Sequence, residues 1–316
     1  NIDETELVMG ADYAAHVRNV RTNSTIEPAL SRRPALFPVV VFSHGLGSLP
    51  MHYTVLAEEL ASQGYLVAAI NHSFGSAATV LRSRGAQPLH EDWRAGFAIS
   101  PEANRFWDDQ ITDWAADIVF VVNRLAAEND RATEFFGRRL DLSRVVTMGH
   151  SLGGSAALLA GQVDPRIKAV VNLDGAARNI NARLPMPVPV FWMQRDRSMM
   201  DSVSAARNLR ASRRVFRNFR QQLDANQDTL MSQAQPDSYV VSILRFHNNH
   251  FSDLPVAFGE PEGVVGFMDA RRALDIVRTY VVRFLAARMG QADVEELELL
   301  GRRFPEVRVL TVKNRP

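Results

Sequence analysis

An apolar run, a serine flanked by glycines and a helix-forming stretch follow one another at residues 144–160, and this order constrains the fold most. Gly149 and Gly153 each stand two residues from Ser151. Where a strand turns sharply into a helix, side chains at those two positions would collide with the backbone, so glycine is favoured. We therefore predict a G-x-S-x-G turn that exposes the Ser151 hydroxyl as a nucleophile. The alternative is a glycine-rich connection in an ordinary α/β sheet.

The remaining pattern predicts strands that alternate with helices. Predicted strands cover residues 38–43, 65–70, 144–148, 167–173, 188–193 and 239–246, and predicted helices cover residues 53–63, 107–125 and 267–289. Such alternation indicates an α/β class with a mainly parallel central sheet and helices on both faces. We expect edge strands within residues 1–37, a loop-rich excursion at residues 73–105, and a further edge strand at residues 307–312.

Composition narrows the class of protein. With 316 residues, 46% of them hydrophobic, the chain can bury a large core. We expect a single domain over residues 1–316, with a core of about 38–290 and a variable lid or insert at 178–236. The net charge of +1 gives no reason to expect a nucleic-acid partner. The absence of cysteine excludes disulfides, thiolate metal sites and a cysteine nucleophile.

A serine nucleophile needs a base and an acid that orients the base. Two histidines follow the last predicted core strand, and we favour His250 over His247 because it lies deeper in the loop. Nothing else gathers ligands around the pair, so we expect no metal. For the acid, Asp174 directly follows a mainly apolar strand, whereas Asp196 stands between two arginines and suits a solvated surface. We favour Asp174.

An acyl-transfer site also needs two backbone N–H groups aimed at the developing oxyanion. The amide of Leu152, next to the nucleophile at a helix N-terminus, is one candidate. The loop after the first core strand reads Ser-His-Gly-Leu-Gly at residues 43–47, and the amide of Leu46 is the second candidate. Two motifs a hundred residues apart thus fit one reaction, the hydrolysis of a carboxylic ester through an acyl-enzyme.

The chain resembles the α/β-hydrolase family of platelet-activating-factor acetylhydrolases, lipoprotein-associated phospholipase A2 and their bacterial esterase relatives. The matching segments are residues 41–47, 60–72, 149–154 and 173–175, with a weaker match at residues 250–253. The resemblance implies an α/β-hydrolase fold, an acid after the strand that follows the elbow helix, and calcium-independent hydrolysis of esters with short or oxidised acyl chains. That position of the acid supports Asp174.

Further predictions concern substrate contacts. His72 is a substrate-binding candidate, with the capping of loop backbone as an equal alternative, and Trp107 is a candidate for an apolar acyl pocket together with Trp93, Phe97 and Phe106. The arginines between residues 207 and 220 suit a lipid-facing lid helix or, more simply, a solvated basic face. We expect no cofactor, a small ester or lipid as the partner, and an exported bacterial enzyme, secreted or periplasmic. The alternatives are a polyester, cutinase-like or amide hydrolase, and a non-catalytic binding protein of the same fold.

Overall fold

Nine strands make up one large sheet and one hairpin in the computed structural model, which describes residues 9–81, 85–90, 93–96, 99–131, 135–196, 213–259, 267–288 and 296–312. The strands are β1 Phe37–Ser43, β2 Leu66–Ile70, β3 Ala78–Leu81, β4 Gly85–Pro88, β5 Leu140–His150, β6 Ile167–Leu173, β7 Val190–Arg195, β8 Ser238–Ile243 and β9 Val307–Val312. The large sheet has the order β2-β1-β5-β6-β7-β8-β9, and β3 pairs with β4. Only β9 runs antiparallel to its neighbour in the large sheet.

The sheet is buried on both faces. Every residue of β1 is buried, as is every residue of β6 except Lys168, and such near-continuous burial is typical of parallel strands covered by helices. The described helices are α1 Ala11–Asn19, α2 Thr54–Ser62, α3 Trp93–Gly96, α4 Pro101–Asn129, α5 Leu152–Val163, α6 Asn179–Ala182, α7 Arg213–Gln233, α8 Leu254–Phe258, α9 Ala270–Arg288 and α10 Glu296–Leu299. Short 3-10 helices cover Pro50–Tyr53, Asn248–Phe251 and Leu300–Arg302.

Helices pack on both faces of the large sheet, and each face has its own hydrophobic cluster. Helices α2 and α9 contribute to the cluster on one face of the sheet. Helices α4 and α5 and the end of α7 contribute to the cluster on the other face. The predicted class, a mainly parallel sheet with helices on both faces, is therefore confirmed.

Two segments differ from the predictions. Residues 9–36 contain helix α1 and no strand in the described structure, although we expected edge strands within residues 1–37. Tyr13 stacks on Phe258 of α8 with ring centroids 5.2 Å apart, which docks α1 on the domain surface. Helix α4 begins at Pro101 rather than near residue 107, because the Ser100 side chain accepts the N–H of Ala103 and caps the helix.

Candidate active site

Ser151 occupies the sharp turn between β5 and α5 that the glycine spacing predicts. Its backbone lies at φ 53° and ψ −121°, and its N–H donates to the Leu173 carbonyl at 2.8 Å. A Cβ built on Gly149 would lie 2.2 Å from the Gly153 carbonyl oxygen, and one built on Gly153 would lie 2.2 Å from the Ser43 carbonyl oxygen. Any larger residue at either position would therefore displace backbone, which explains both glycines.

The loop after β1 lies directly against this turn. A Cβ built on Gly45 would lie 3.4 Å from Cβ of Ser151. Leu46, in the same loop, and Leu152, the first residue of α5, both line a cavity of about 650 Å³ that also contains Ser151. Both residues that we predicted as oxyanion donors therefore lie at the cavity of the predicted nucleophile.

Asp174 lines the same cavity from the end of β6, and its carboxylate has two hydrogen bonds and one ion pair. Asn248 donates its side-chain amide to Oδ2 at 2.7 Å, and the backbone N–H of Arg195 lies 3.2 Å from Oδ1. The Arg195 guanidinium pairs with Oδ2 at 2.5 Å. Asp196, the alternative acid, is half-buried and is not among the described residues that line the cavity.

The two candidate histidines occupy different environments. His247 is half-buried and lines the cavity, next in sequence to the Asn248 that binds Asp174. His250 is only 1% exposed and is not among the described lining residues. Its Nδ1 accepts the backbone N–H of His247 at 3.0 Å, and its ring packs on Phe246 and Phe267. The structure thus brings His247, not the favoured His250, to the cavity, because the 3-10 helix at Asn248–Phe251 turns residue 250 into the core.

Tyr53 is a site residue that the sequence analysis missed. Its hydroxyl oxygen accepts the Gly45 N–H at 3.0 Å, and the same hydroxyl bonds to Nδ1 of His150 at 2.8 Å. Burial raises the pKa of Tyr53 to about 12 and lowers the pKa of His150 to about 4, so both stay neutral near pH 7 and the phenol donates to the imidazole. Tyr53 therefore fastens the loop after β1 to the end of β5.

His72 lies behind the cavity rather than in it. Its Nδ1 bonds to the Asp117 carboxylate at 2.7 Å, its Nε2 bonds to the Ser43 hydroxyl at 2.8 Å, and its ring stacks on Trp114. His72 is 1% exposed and both ring nitrogens are engaged, so the structure does not support the substrate-binding interpretation. This second Ser–His–Asp chain does not present a nucleophile either, because Ser43 has no exposed area.

Trp107 lines the cavity, as does Trp93. The indole N–H of Trp107 donates to the Gly96 carbonyl at 2.6 Å, which fixes the ring at the cavity wall. Phe106 instead lines a neighbouring cavity of about 860 Å³, which Trp93 also borders. Phe97 lies outside the described residues.

The described part of helix α7 forms another wall of the cavity. Arg220 and Leu223 line it, whereas Arg217 faces solvent. The arginines at 207 and 210, and the side chains of those at 213 and 214, lie outside the described part of the chain. One arginine of this helix thus lines the cavity that contains the predicted nucleophile, so the helix is not only a solvated basic face.

The structure also bears on metals and membranes. Within the described ranges, no three His, Cys, Asp or Glu side chains cluster as metal ligands would. Across those same ranges, no helix combines the length and apolar character needed to cross a bilayer.

Comparisons with known proteins show which sequences and folds this chain resembles. Residues 2–104 match the family model described as platelet-activating factor acetylhydrolase, isoform II. The platelet-activating factor acetylhydrolase of Canis lupus familiaris is 23% identical over 278 residues, which cover 80% of this chain and 57% of the dog protein. A probable 1-alkyl-2-acetylglycerophosphocholine esterase of Arthroderma benhamiae is 28% identical over 141 residues, covering 44% of this chain and 31% of the fungal protein. The chain thus spans little more than half the length of its dog relative.

One solved structure extends the likeness to nearly the whole chain. The ferulic acid esterase of Streptomyces cinnamoneus superposes with a TM-score of 0.74 at 23% identity, covering 97% of this chain and 82% of the esterase. At that identity the superposition establishes the fold. The chain thus has the α/β-hydrolase fold, and its sequence is similar to those of platelet-activating factor acetylhydrolases.

Proposed function

We propose that this protein is a carboxylic ester hydrolase that works through a serine acyl-enzyme, with Ser151 as the nucleophile. The observation that carries the proposal is one cavity in which Ser151, Asp174 and His247 meet the two candidate oxyanion donors. The strained backbone of Ser151 supports it, because a positive φ at a non-glycine residue costs free energy and is common at functional sites.

The proposed reaction has two halves. Ser151 Oγ attacks the ester carbonyl, and the imidazole of His247 takes its proton and passes it to the departing alcohol. Water then attacks the acyl-enzyme while His247 again takes a proton, which returns to Ser151 as the carboxylic acid leaves. Asp174 holds the imidazole and stabilises its charged form, and the amides of Leu46 and Leu152 bind the oxyanion.

The choice of His247 replaces our sequence-based preference for His250. In the structure, Nδ1 of His247 accepts the Asn249 N–H at 3.2 Å, which is the long end of the range for such bonds. Base catalysis requires the ring to give up this contact so that one nitrogen faces Ser151 and the other faces the carboxylate. Catalytic hydrogen bonds commonly tighten only when substrate is bound.

The relatives narrow the proposed substrates. Their names specify acetylhydrolase and esterase activities, so we propose short-acyl esters or phospholipids that resemble platelet-activating factor. The second candidate is the hydrolysis of polyesters or amides, since the fold and the catalytic residues set the reaction type and the pocket sets the substrate. An exported location and contact with a lipid surface are also part of this proposal, and cell fractionation tests the first.

Covalent labelling tests the nucleophile directly. A fluorophosphonate probe should label the wild-type protein and the control Ser62→Ala, which removes an exposed hydroxyl in α2, but not Ser151→Ala. The same three proteins are assayed with p-nitrophenyl acetate, and only Ser151→Ala should lose turnover. Labelling and turnover in a folded Ser151→Ala protein would refute the proposal. A series of p-nitrophenyl esters, phospholipids, polyesters and amides then defines the substrate class.

A further inference from the structure

The cavity of the predicted nucleophile contains three arginines, and one of them differs from the others in its partners. Arg195 pairs with Asp174 at 2.5 Å, and Arg220 lies 4.0 Å from Asp224. Arg178 lines the same cavity, yet no carboxylate of the described residues lies within ion-pair distance of it. Its guanidinium makes one long contact, at 3.4 Å, to the amide oxygen of Asn104.

Aromatic rings hold this guanidinium in place. Its central carbon lies 5.4 Å from the ring centroid of Trp107 and 5.4 Å from that of Phe219. Two rings at this distance stabilise a cation through their quadrupoles and keep the planar group from folding back on the surface. The two rings do not use up the N–H groups of the guanidinium, because an aromatic ring accepts no conventional hydrogen bond.

The backbone under Arg178 is equally well held. The Arg178 N–H donates to Oδ1 of Asn181 at 3.1 Å, and the Ala177 carbonyl accepts from the side-chain amide of Asn226 at 3.3 Å. Only three residues separate Arg178 from Asp174, so the loop that carries the proposed catalytic acid also carries this cation. A charge fixed in this way is already oriented for a ligand, which reduces the ordering cost of binding.

The cost of burying this charge also needs an explanation. Burial lowers the pKa of Arg178 to about 10, and the more distant Asp108 opposes that shift only in part. Arg178 remains charged near pH 7, and burial of an incompletely paired charge costs free energy. A ligand that brings an anionic group would compensate that cost within the site.

We infer that Arg178 forms an anion-binding subsite, which binds a carboxylate or phosphate group carried by the ester substrate. The inference rests on the proposed function, and it adds a substrate feature, a negative charge at a fixed position relative to the scissile ester. The forked N–H geometry of a guanidinium matches both groups with two parallel hydrogen bonds. The charge has two possible positions, the end of the acyl chain or the alcohol portion.

Two matched pairs of synthetic esters distinguish these positions. The acyl pair is p-nitrophenyl butyrate against the mono-p-nitrophenyl ester of glutaric acid, which adds a carboxylate to the acyl chain. The alcohol pair is phenyl acetate against 4-acetoxyphenyl phosphate, which adds a phosphate to the leaving group. For each pair the measured quantity is kcat/KM of the anionic ester divided by kcat/KM of the neutral ester. Any general loss of activity cancels in this ratio, so the ratio reports how the protein recognises the added charge.

Arg178→Gln should lower the ratio of one pair by about 10–100-fold, the typical effect of losing a hydrogen bond to a charged group. Arg178→Lys should give a ratio between those of the wild-type protein and Arg178→Gln, since the positive charge remains but the two parallel N–H donors are lost. The matched control is Arg183→Gln, which removes an exposed arginine five residues along the chain and should leave both ratios unchanged. A fall in the acyl ratio assigns the charge to the acyl chain, and a fall in the alcohol ratio assigns it to the leaving group.

A measurement on the wild-type protein covers the case in which Arg178→Gln fails to fold. Glutarate or phenyl phosphate should inhibit the hydrolysis of p-nitrophenyl butyrate competitively, with an inhibition that weakens as salt is added. The inference is overturned if neither anion inhibits and neither ratio depends on Arg178. Normal turnover of the neutral esters in that case would leave the proposed function intact, whereas turnover by Ser151→Ala would refute the proposed function itself.

Discussion

Asn248 donates its side-chain amide to Oδ2 of Asp174 at 2.7 Å, which ties the loop after β8 to the end of β6. These two loops meet because β6, β7 and β8 are neighbours and parallel, so their carboxyl ends share one edge of the sheet. The hydrogen bond holds His247, one residue earlier, beside the cavity that contains Ser151. The position of the proposed base therefore depends on the proposed acid as well as on its own loop.

Asp174→Asn should reduce kcat for p-nitrophenyl acetate by about 10³–10⁴-fold, because an amide cannot stabilise the imidazolium formed in the transition state. The control Asp196→Asn should change kcat by less than about threefold, since that side chain does not line the cavity. Steady-state kinetics on both proteins, with circular dichroism to verify folding, check this. Greater damage from Asp196→Asn would move the acid to the end of β7.

His247→Gln should abolish nearly all turnover, a loss of at least about 10²-fold, because no other described imidazole lines the cavity to accept the serine proton. His250→Gln should retain turnover and instead lower the free energy of unfolding by about 1–3 kcal/mol, since it alters a buried acceptor of the His247 N–H. Urea unfolding and kinetics on both variants separate the two roles. A stable but inactive His250→Gln beside an active His247→Gln would return the base to His250.

The fold was predictable because its signals are local. Parallel strands buried on both faces have near-continuous apolar sequences, and β1 and β6 lie within a residue of their predicted bounds. Helix α1 was missed because residues 11–19 carry a weak apolar pattern, with Ala14 the only buried residue. Its position depends on the contact with Phe258, far away in sequence.

The site was predictable only in part, because several of its features depend on contacts between residues that are far apart in the sequence. The sequence signal for Ser151 and its glycines lies within five consecutive residues, whereas the choice between His247 and His250 depends on which way a 3-10 helix turns each ring. Arginines flanking Asp196 suggested a solvated surface, but the Arg195 guanidinium pairs with Asp174 instead. Tyr53 carries no motif at all, and its role follows from contacts across the fold.

Tyr53→Phe should lower the free energy of unfolding by about 1–3 kcal/mol, because it leaves the buried Gly45 N–H without its acceptor. It should also reduce kcat by roughly tenfold or more, since the loop with the Leu46 amide loses its tie to β5. The matched control is Tyr65→Phe, which removes a buried hydroxyl that has no hydrogen-bond partner among the described residues. Urea unfolding and kinetics check both variants, and equal effects at the two positions would contradict the proposed role of Tyr53.

Gly153→Ala should prevent the turn from forming in its present geometry, because the new Cβ would lie 2.2 Å from the Ser43 carbonyl oxygen. We expect a loss of about 3 kcal/mol or more in the free energy of unfolding, at the upper end of single substitutions. Gly301→Ala is the control, since a Cβ there would meet no atom within 4 Å. A Gly153→Ala protein as stable as Gly301→Ala in thermal unfolding would show that the close contact between the two loops is not present.

Buried histidines should make the protein sensitive to mild acid. Burial lowers the pKa of His44 to about 3, those of His52 and His150 to about 4, and that of His72 as well. In the unfolded chain a histidine takes up a proton below pH ~6.5, whereas these buried histidines stay neutral in the native state. Their contribution to the free energy of unfolding is therefore fully present above that pH and is lost as the pH falls from there towards about 4. Burial raises the pKa of Asp253 to about 6, which acts in the opposite sense, because the native state then holds a proton that the unfolded chain releases.

At pH 5 the imidazoles of His44, His52 and His150, less the one carboxyl, leave the unfolded state with about two more protons than the native state. The free energy of unfolding should then fall by roughly 3 kcal/mol for each pH unit of acidification near pH 5. Urea unfolding at intervals between pH 6.5 and 5 measures the slope. His52→Gln should lower this slope by about 1.4 kcal/mol per pH unit, the contribution of one proton, whereas the exposed control His16→Gln should leave the slope unchanged. A slope near zero would mean that these imidazoles are protonated in the native protein, which would contradict the neutral His150 on which the bond to Tyr53 depends.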